Sequence, residues 1–311
     1  NLPAVLGLGR DLVSPGSVSG DVPVALYCHE NQLTYPLQPD ETRDLTYAMI
    51  NWLSMLAADR VFFNSRYHLE SWFDELPRML RHFPEFTHLH RIPDVRAKAS
   101  VLYVGCDLAN LCRTNYVGRG LPTDAQGVTE SKEPPLILWN QRWEYDKAPE
   151  VFFRALDALM AQGIAFRVAL AGSNVRQKPE EFAAARERLG ARVVHYGRAD
   201  TETYHRLLWQ SDVVVSTAIH EFFGIAVVEA VYCGCFPVLP RGLAYLETIP
   251  TRHHDACLYE DFEGLVARLR WALTHITEAH RIAADLRQAV ARFDWSIMAP
   301  RYDAELESLM H

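Results

Sequence analysis

Between residues 135 and 239, short β-type runs alternate with helical stretches, separated by a few polar or glycine-containing residues. That alternation confines this part of the chain to a parallel sheet with helices on both faces. Residues 135–139, 166–171, 192–195, 213–216 and 236–239 read as strands. Helices are expected over 149–162, opened by Pro149 in its first turn, and over 180–189, stopped by Gly190. Two more follow, one capped by Asp200 and running to Gln210, the other spanning 224–232 and closed by Gly234. Ligands of such sheets sit at the C-terminal ends of the strands.

The first half carries fewer elements. Residues 23–28, 60–64 and 100–104 read as strands, and 41–57 and 66–76 as helices, the first with apolar spacing at Leu45, Met49, Trp52, Leu53 and Leu56. Three strands are few for such a domain. The reading is that one or two leading βα units are absent from this numbering, or that disordered pieces have been skipped, with 14–21 as a loop or junction. The chain also begins at Asn1 without a methionine, so a missing N-terminus is allowed for. Residues 107–134 are polar and punctuated by glycine and proline, as a linker would be. The expected organisation is an N-terminal acceptor-side Rossmann-like domain with linker over 1–130, a C-terminal Rossmann-like domain over 131–295, and a terminal helix over 296–311 packing back on the first domain. Helices are also expected over 262–274, 277–293 and 295–309, the last with Met298, Tyr302, Leu306 and Leu309 on one stripe and Pro300 in its first turn.

A net charge of −8 argues against a general nucleic-acid coat, though not against a local basic patch. No apolar run approaches the roughly 18–20 residues that cross a bilayer, and no signal-peptide pattern opens the chain. The six cysteines form no Cys-x-x-Cys pair and read as buried, reduced thiols of a cytoplasmic protein.

The sharpest chemical pattern is Ser216-Thr-Ala-Ile-His-Glu221-Phe-Phe-Gly224-Ile-Ala-Val-Val-Glu229. A strand ends, a loop carries Glu221, and a helix opens near Gly224. Amides at Phe223 and Gly224 can receive a phosphate, and Phe222 borders the same loop. Glu229, flanked by valines and alanine, needs a partner, and vicinal ribose hydroxyls would supply one. Two merely solvated glutamates are the bland alternative. His220-Glu-Phe-Phe-Gly224 is not His-Glu-x-x-His, so a zinc protease is disfavoured. No metal ligands are assigned.

A second pattern, Asn140-Gln-Arg142-Trp-Glu-Tyr-Asp-Lys147, follows the first strand of the second half. Arg142 and Lys147 could both reach a diphosphate and offset leaving-group charge. A surface ion pair of either with Glu144 or Asp146 is the alternative. His29, at a strand end before Glu30, Asn31 and Gln32, could hydrogen-bond a transferred sugar or be structural. Gly172-Ser173-Asn174 and Tyr196-Gly197-Arg198 suit base or phosphate contacts and ordinary turns equally. Residues 78–98 carry Arg78, Arg81, Arg91, Arg96 and Lys98 against only Glu85 and Asp94, a basic segment suited to an RNA backbone or simply solvated.

These motifs resemble the retaining GT-B glycosyltransferases, with their Arg-x4-Lys loop and Glu-x7-Glu loop and helix. The resemblance implies two Rossmann-like domains facing across a cleft. It also implies Glu229 on ribose, Glu221 on the donor sugar, Arg142 and Lys147 on the diphosphate, His29 near the reacting carbon, and Tyr196, Gly197 and Arg198 beside the base. Glu247 falls in a matching loop, whereas many relatives have glycine where this chain has Phe222. More narrowly, His29-Glu-Asn-Gln-Leu-Thr-Tyr-Pro36, 137–147 and 220–235 resemble the tRNA-queuosine α-mannosyltransferase family. That likeness implies GDP-mannose as co-substrate, no further cofactor, and the cyclopentenediol hydroxyl of queuosine in a tRNA anticodon as acceptor. The expectation is a metal-independent, retaining hexosyl transfer in which departure and attack share one face. Replacing Glu221 or Lys147 is then expected to reduce transfer and leave folding intact. A sugar-nucleotide epimerase or hydrolase and a non-catalytic nucleotide- or RNA-binding module are the rivals.

Overall fold

A computed structural model describes residues 23–38, 41–85, 87–111, 133–173 and 180–310. The chain divides into two compact units, Asn1–Gly105 with Ser296–His311, and Cys106–Trp295.

In the first unit, β1 (Ala25–Cys28), β2 (Arg60–Phe63) and β3 (Ala99–Val101) form a parallel sheet in that order. Helix α1 (Thr46–Ala57) joins β1 to β2, while α2 (Arg66–Leu80) and the short α3 (Ile92–Ala97) precede β3. Ser65 caps α2 by accepting from the His68 amide at 2.9 Å. The helix continues through Pro77, four residues past its expected end, because Met79 and Leu80 bury on the stripe begun by Trp72, Phe73 and Leu76. Helix α3 was not foreseen; its six residues are too few to show a period, and only Val95 among them is buried.

The second unit holds β4 (Leu136–Trp139), α4 (Pro149–Ala161), β5 (Arg167–Ala171), α5 (Glu180–Leu189), β6 (Val193–Gly197), α6 (Thr201–Gln210), β7 (Val213–Val215), α7 (Ile225–Tyr232) and β8 (Phe236–Pro240). A two-residue strand, β9 (Leu258–Tyr259), completes the sheet and lies below what periodicity can reveal. Helices α8 (Phe262–Thr274) and α9 (Ile276–Val290) follow. All strands pair in parallel, in the order β6-β5-β4-β7-β8-β9. Strands β4 and β7 are wholly buried, as central parallel strands are. The chain builds outward from β4 in one direction and then resumes beside it with β7. The crevice beyond the C-terminal ends of those two strands is therefore the switch point where such sheets bind ligands.

Asp200 caps α6 as expected, its carboxylate accepting from the Thr203 amide at 2.8 Å. The terminal helix α10 (Trp295–Glu307) joins the first unit. Met298 packs with Phe62 and Leu102, and the Tyr302 hydroxyl donates to the Tyr103 carbonyl at 3.2 Å. Pro300 lies inside this helix rather than in its first turn, and Leu306 is exposed.

Candidate active site

Three segments converge at the switch point: the loop after β4, the loop after β7, and the first turns of α7. The turn Tyr145–Lys147 is tied to the second loop by two bonds, Thr217 Oγ1 to the Lys147 carbonyl at 2.8 Å and the Ile219 amide to the Asp146 carbonyl at 2.9 Å. Ala148 then takes a left-handed conformation, φ 42°, to enter α4. This framework carries the Lys147 side chain inward, only 9% exposed. Its Nζ donates to the His220 carbonyl at 2.9 Å and to Glu221 Oε2 at 3.2 Å, and lies 3.0 Å from Asp146 Oδ2. An ammonium has three protons, and three oxygens surround this one. A buried cation needs such pairing. The expectation that Lys147 can be replaced without harm to folding is therefore revised: its removal takes the ammonium from beside the buried Asp146.

Glu221 reaches over the start of α7. Its Oε1 accepts from the Gly224 amide at 3.1 Å and, more weakly, from the Phe223 amide at 3.4 Å. The two amides expected to hold a phosphate thus face a carboxylate of the chain itself. Gly224 caps the helix at φ 86°, and a Cβ there would come within 3.0 Å of the Tyr245 ring. Both features favour glycine. The apolar surroundings of Glu229 do come with a partner, one that no motif points to: the Tyr204 hydroxyl of α6 donates to Glu229 Oε2 at 2.7 Å. Burial raises the Glu229 carboxyl above its ordinary range, and the Tyr204 bond partly offsets that. Asn140 donates from Nδ2 to the Tyr204 hydroxyl at 3.2 Å and to the Ala226 carbonyl at 2.8 Å.

Other expected residues are placed differently. Arg142 is exposed and paired with Glu144 at 3.1 Å, the alternative weighed for it, so it does not join the Lys147 cluster. Gly172 is glycine for packing: an added Cβ would sit 1.9 Å from the Gln141 carbonyl oxygen. Its neighbour Ser173 accepts from the Trp143 amide through its carbonyl at 3.4 Å. Tyr196 packs against Trp143 at 4.9 Å and under the Arg186 guanidinium at 4.7 Å. Gly197 takes φ 109°, and Arg198 is exposed. Phe222 and Phe223 are buried, edge-on to His220 and Phe293 respectively. The Glu247 carbonyl accepts from Arg292 at 2.6 Å. Asn174 lies outside the described residues.

In the first unit, His29 is exposed at the end of β1, its ring 4.8 Å from that of Tyr27. Asn31, expected on the acceptor side, is buried: Oδ1 accepts from the Leu33 amide at 2.8 Å and Nδ2 donates to Ser71 Oγ at 3.3 Å. Gln32 accepts from Asn51 Nδ2 at 2.7 Å. The basic segment also meets acids, two of them, Glu75 and Glu70, outside the counted stretch and one, Asp94, within it. Arg78 approaches Glu75, Arg91 pairs with Asp94 at 2.9 Å, and Arg96 pairs with Glu70 while lying over the Phe73 ring. Lys98 donates to the Leu56 and Ala58 carbonyls, which makes it a cap for α1 rather than an RNA contact. Arg81 is exposed. The cysteines fit the reading of inert thiols. Burial pushes Cys28, Cys106 and Cys257 up to about 12 and Cys235 further, while Cys112 lies outside the described residues.

Two family matches divide the chain as its two units do. Residues 4–106 match the tRNA-queuosine alpha-mannosyltransferase N-terminal family, and residues 122–288 match glycosyl transferases group 1. A Drosophila melanogaster protein described as tRNA-queuosine alpha-mannosyltransferase is 33% identical over 269 residues, 86% of this chain and 67% of that protein. The chain belongs to the tRNA-queuosine alpha-mannosyltransferase family. As a member it is an enzyme of glycosyl transfer. Solved structures give its fold. Sucrose-phosphate synthase from Thermosynechococcus elongatus superposes with a TM-score of 0.70 at 20% identity, covering 100% of this chain and 72% of that one. HepE of Anabaena, in complex with UDP and glucose, gives 0.71 at 18% identity, covering 99% and 76%. The fold is GT-B. No helix among the described residues is long and apolar enough to cross a membrane.

Proposed function

We propose that this chain moves mannose from GDP-mannose to a cyclopentenediol hydroxyl of queuosine in a tRNA anticodon, with retention of configuration and without a metal ion. The reading of donor and acceptor is supported by the name of the Drosophila relative and by the match over residues 4–106. One observation carries the chemistry: Lys147 and Glu221 are fixed together at the head of α7, on the switch point of a doubly wound sheet. With Oε1 on the amides and Oε2 on the ammonium, Glu221 keeps lone pairs for sugar hydroxyls in a set orientation. The donor diphosphate is assigned to Lys147, to Arg142 swung away from Glu144, and to the Ile225 and Ala226 amides, which have no carbonyl a turn earlier in the helix to bond. Glu229 takes the ribose hydroxyls, and Tyr196, Gly197 and Arg198 lie toward the base.

As the anomeric bond breaks, these cations offset charge on the departing phosphate, which helps deprotonate the acceptor hydroxyl on the same face. The acceptor is assigned to the first unit, which carries exposed His29, with Arg78 and Arg81 toward tRNA phosphates. An acceptor of this kind places the reaction in the cytoplasm. The test is incubation with radiolabelled GDP-mannose and queuosine-containing tRNA. Label should enter that tRNA alone, with none from UDP-sugars and none into tRNA lacking queuosine. Label in unmodified tRNA, or GDP release without transfer, overturns the assignment.

A further inference from the structure

Glu229 is a carboxylate within an apolar helix, and such a group does not hold one orientation without a partner. Its Oε2 accepts from Tyr204, while Oε1 has no hydrogen bond among the described residues. The direction of the Tyr204 bond is fixed from the other side. Asn140 Nδ2 donates to the phenol oxygen, which leaves the phenol proton to Glu229. Asn140 in turn donates to the Ala226 carbonyl, three residues before Glu229 on α7. The hydrogen-bond path therefore leaves α7 at Ala226, crosses the loop after β4 and helix α6, and returns to α7 at Glu229. Burial and the neighbouring carboxylate hold the Tyr204 phenol protonated across the working pH range.

We propose that Tyr204 is a positioning residue for donor binding, holding Glu229 by one oxygen so that the other meets the vicinal diol of the nucleotide's ribose. This rests on the assignment of Glu229 to ribose, and it adds a residue from a third element with no signature in the sequence. Because Asn140 belongs to the loop bearing Arg142 and Lys147, the same path links ribose recognition to the diphosphate loop. Tyr204 touches no reacting atom; its effect passes through Glu229.

The experiment compares binding of GDP and 2′,3′-dideoxy-GDP to the full chain by titration calorimetry. In the wild type, GDP should bind at least tenfold more tightly than the dideoxy nucleotide, the scale of hydrogen bonds to a charged group. Tyr204→Phe should reduce that ratio to below threefold by weakening GDP while leaving dideoxy-GDP within twofold of wild type. Glu229→Gln should abolish the ratio, and the double variant should lose no more than Glu229→Gln alone. A Tyr204→Phe protein that keeps the full ratio, or that loses both nucleotides equally, overturns the positioning role. A wild type that does not distinguish the two nucleotides overturns the Glu229 assignment itself, a separate outcome. If Tyr204→Phe does not reach the wild-type circular-dichroism spectrum, Asn140→Ala carries the test by leaving the phenol proton undirected. A lower ratio with unchanged dideoxy affinity then supports the proposal, and an unchanged ratio overturns it.

Discussion

In the six-stranded unit the candidate charges at the head of α7 are held by neighbouring groups, although Arg142 and Arg198 stand exposed: Lys147 is 9% exposed among Asp146, Glu221 and a backbone carbonyl, and Glu229 is held by Tyr204. In the three-stranded unit the candidates divide differently. Asn31 and Lys98 are spent on the fold, Arg91 and Arg96 on surface pairs, and His29 and Arg81 stand exposed. Surface pairs contribute about 0–1 kcal/mol and yield to salt. A buried cluster carries a desolvation cost that its partners must offset. The difference teaches that the six-stranded unit fixes its central charges by its own contacts, whereas the three-stranded unit presents cations that a long, charged partner can recruit.

The comparison is most exposed at Lys147. Lys147→Ala should lower transfer by roughly 100–1,000-fold. It should also destabilise the chain by about 3–5 kcal/mol, because a buried ion pair with Asp146 is broken from one side. Chemical denaturation and label transfer check both, and Lys147→Met with Asp146→Asn should regain most of the stability without activity. A stable, inactive Lys147→Ala would mean that the cluster is not preorganised.

Next in size is Gly172→Ala. Its Cβ would meet a backbone oxygen at 1.9 Å, so the loop bearing Arg142 and Lys147 must shift. A loss of about 1–3 kcal/mol and a several-fold rise in the KM for donor are expected. Unchanged melting and KM would show that the loop is looser than its packing implies.

A smaller effect comes from Glu229. Its folded-state carboxyl keeps its proton to a higher pH than the unfolded chain's does, so ionisation costs stability as pH rises. Besides burial, the groups acting on it are Tyr204 and His205 of α6 and Asp107 of the adjoining segment. Ligand-free Glu229→Gln should melt above wild type at pH 8, by a margin that narrows toward pH 4. A margin that widens on acidification would contradict this sign.

The smallest effect separates two cations of the first unit. Arg81→Ala should weaken tRNA binding a few-fold, reduce its salt dependence by about one ion, and leave the melting temperature alone. Lys98→Met should lower the melting temperature through the lost bonds to Leu56 and Ala58, with little effect on the salt slope. Interchanged outcomes would erase the contrast drawn between exposed and committed cations.

Much of the second unit was legible because its signals are local. Asp200 caps a helix through an amide three residues away, Pro149 suits a first turn, and Gly190 and Gly234 stop helices next to themselves. The same locality made Glu221, Gly224 and Glu229 readable as one loop and helix. What was not legible depends on distant residues. Strand β9 exists by pairing with β8. Lys98 reads as a free cation until the carbonyls of α1, about 40 residues away in sequence, arrive at its amine. Arg96 meets Glu70 only across two helices.

The sequence by itself determined a parallel α/β sheet, the loops to which the chemistry is assigned, and the family to which the chain belongs. It could do so because strand length, helix period and caps are read within a few residues of one another. The tertiary structure alone decided which charges are buried, which amides Glu221 claims, and that Tyr204 holds Glu229. Those outcomes turn on desolvation and hydrogen-bond geometry between segments far apart in the chain, which no short stretch of sequence records.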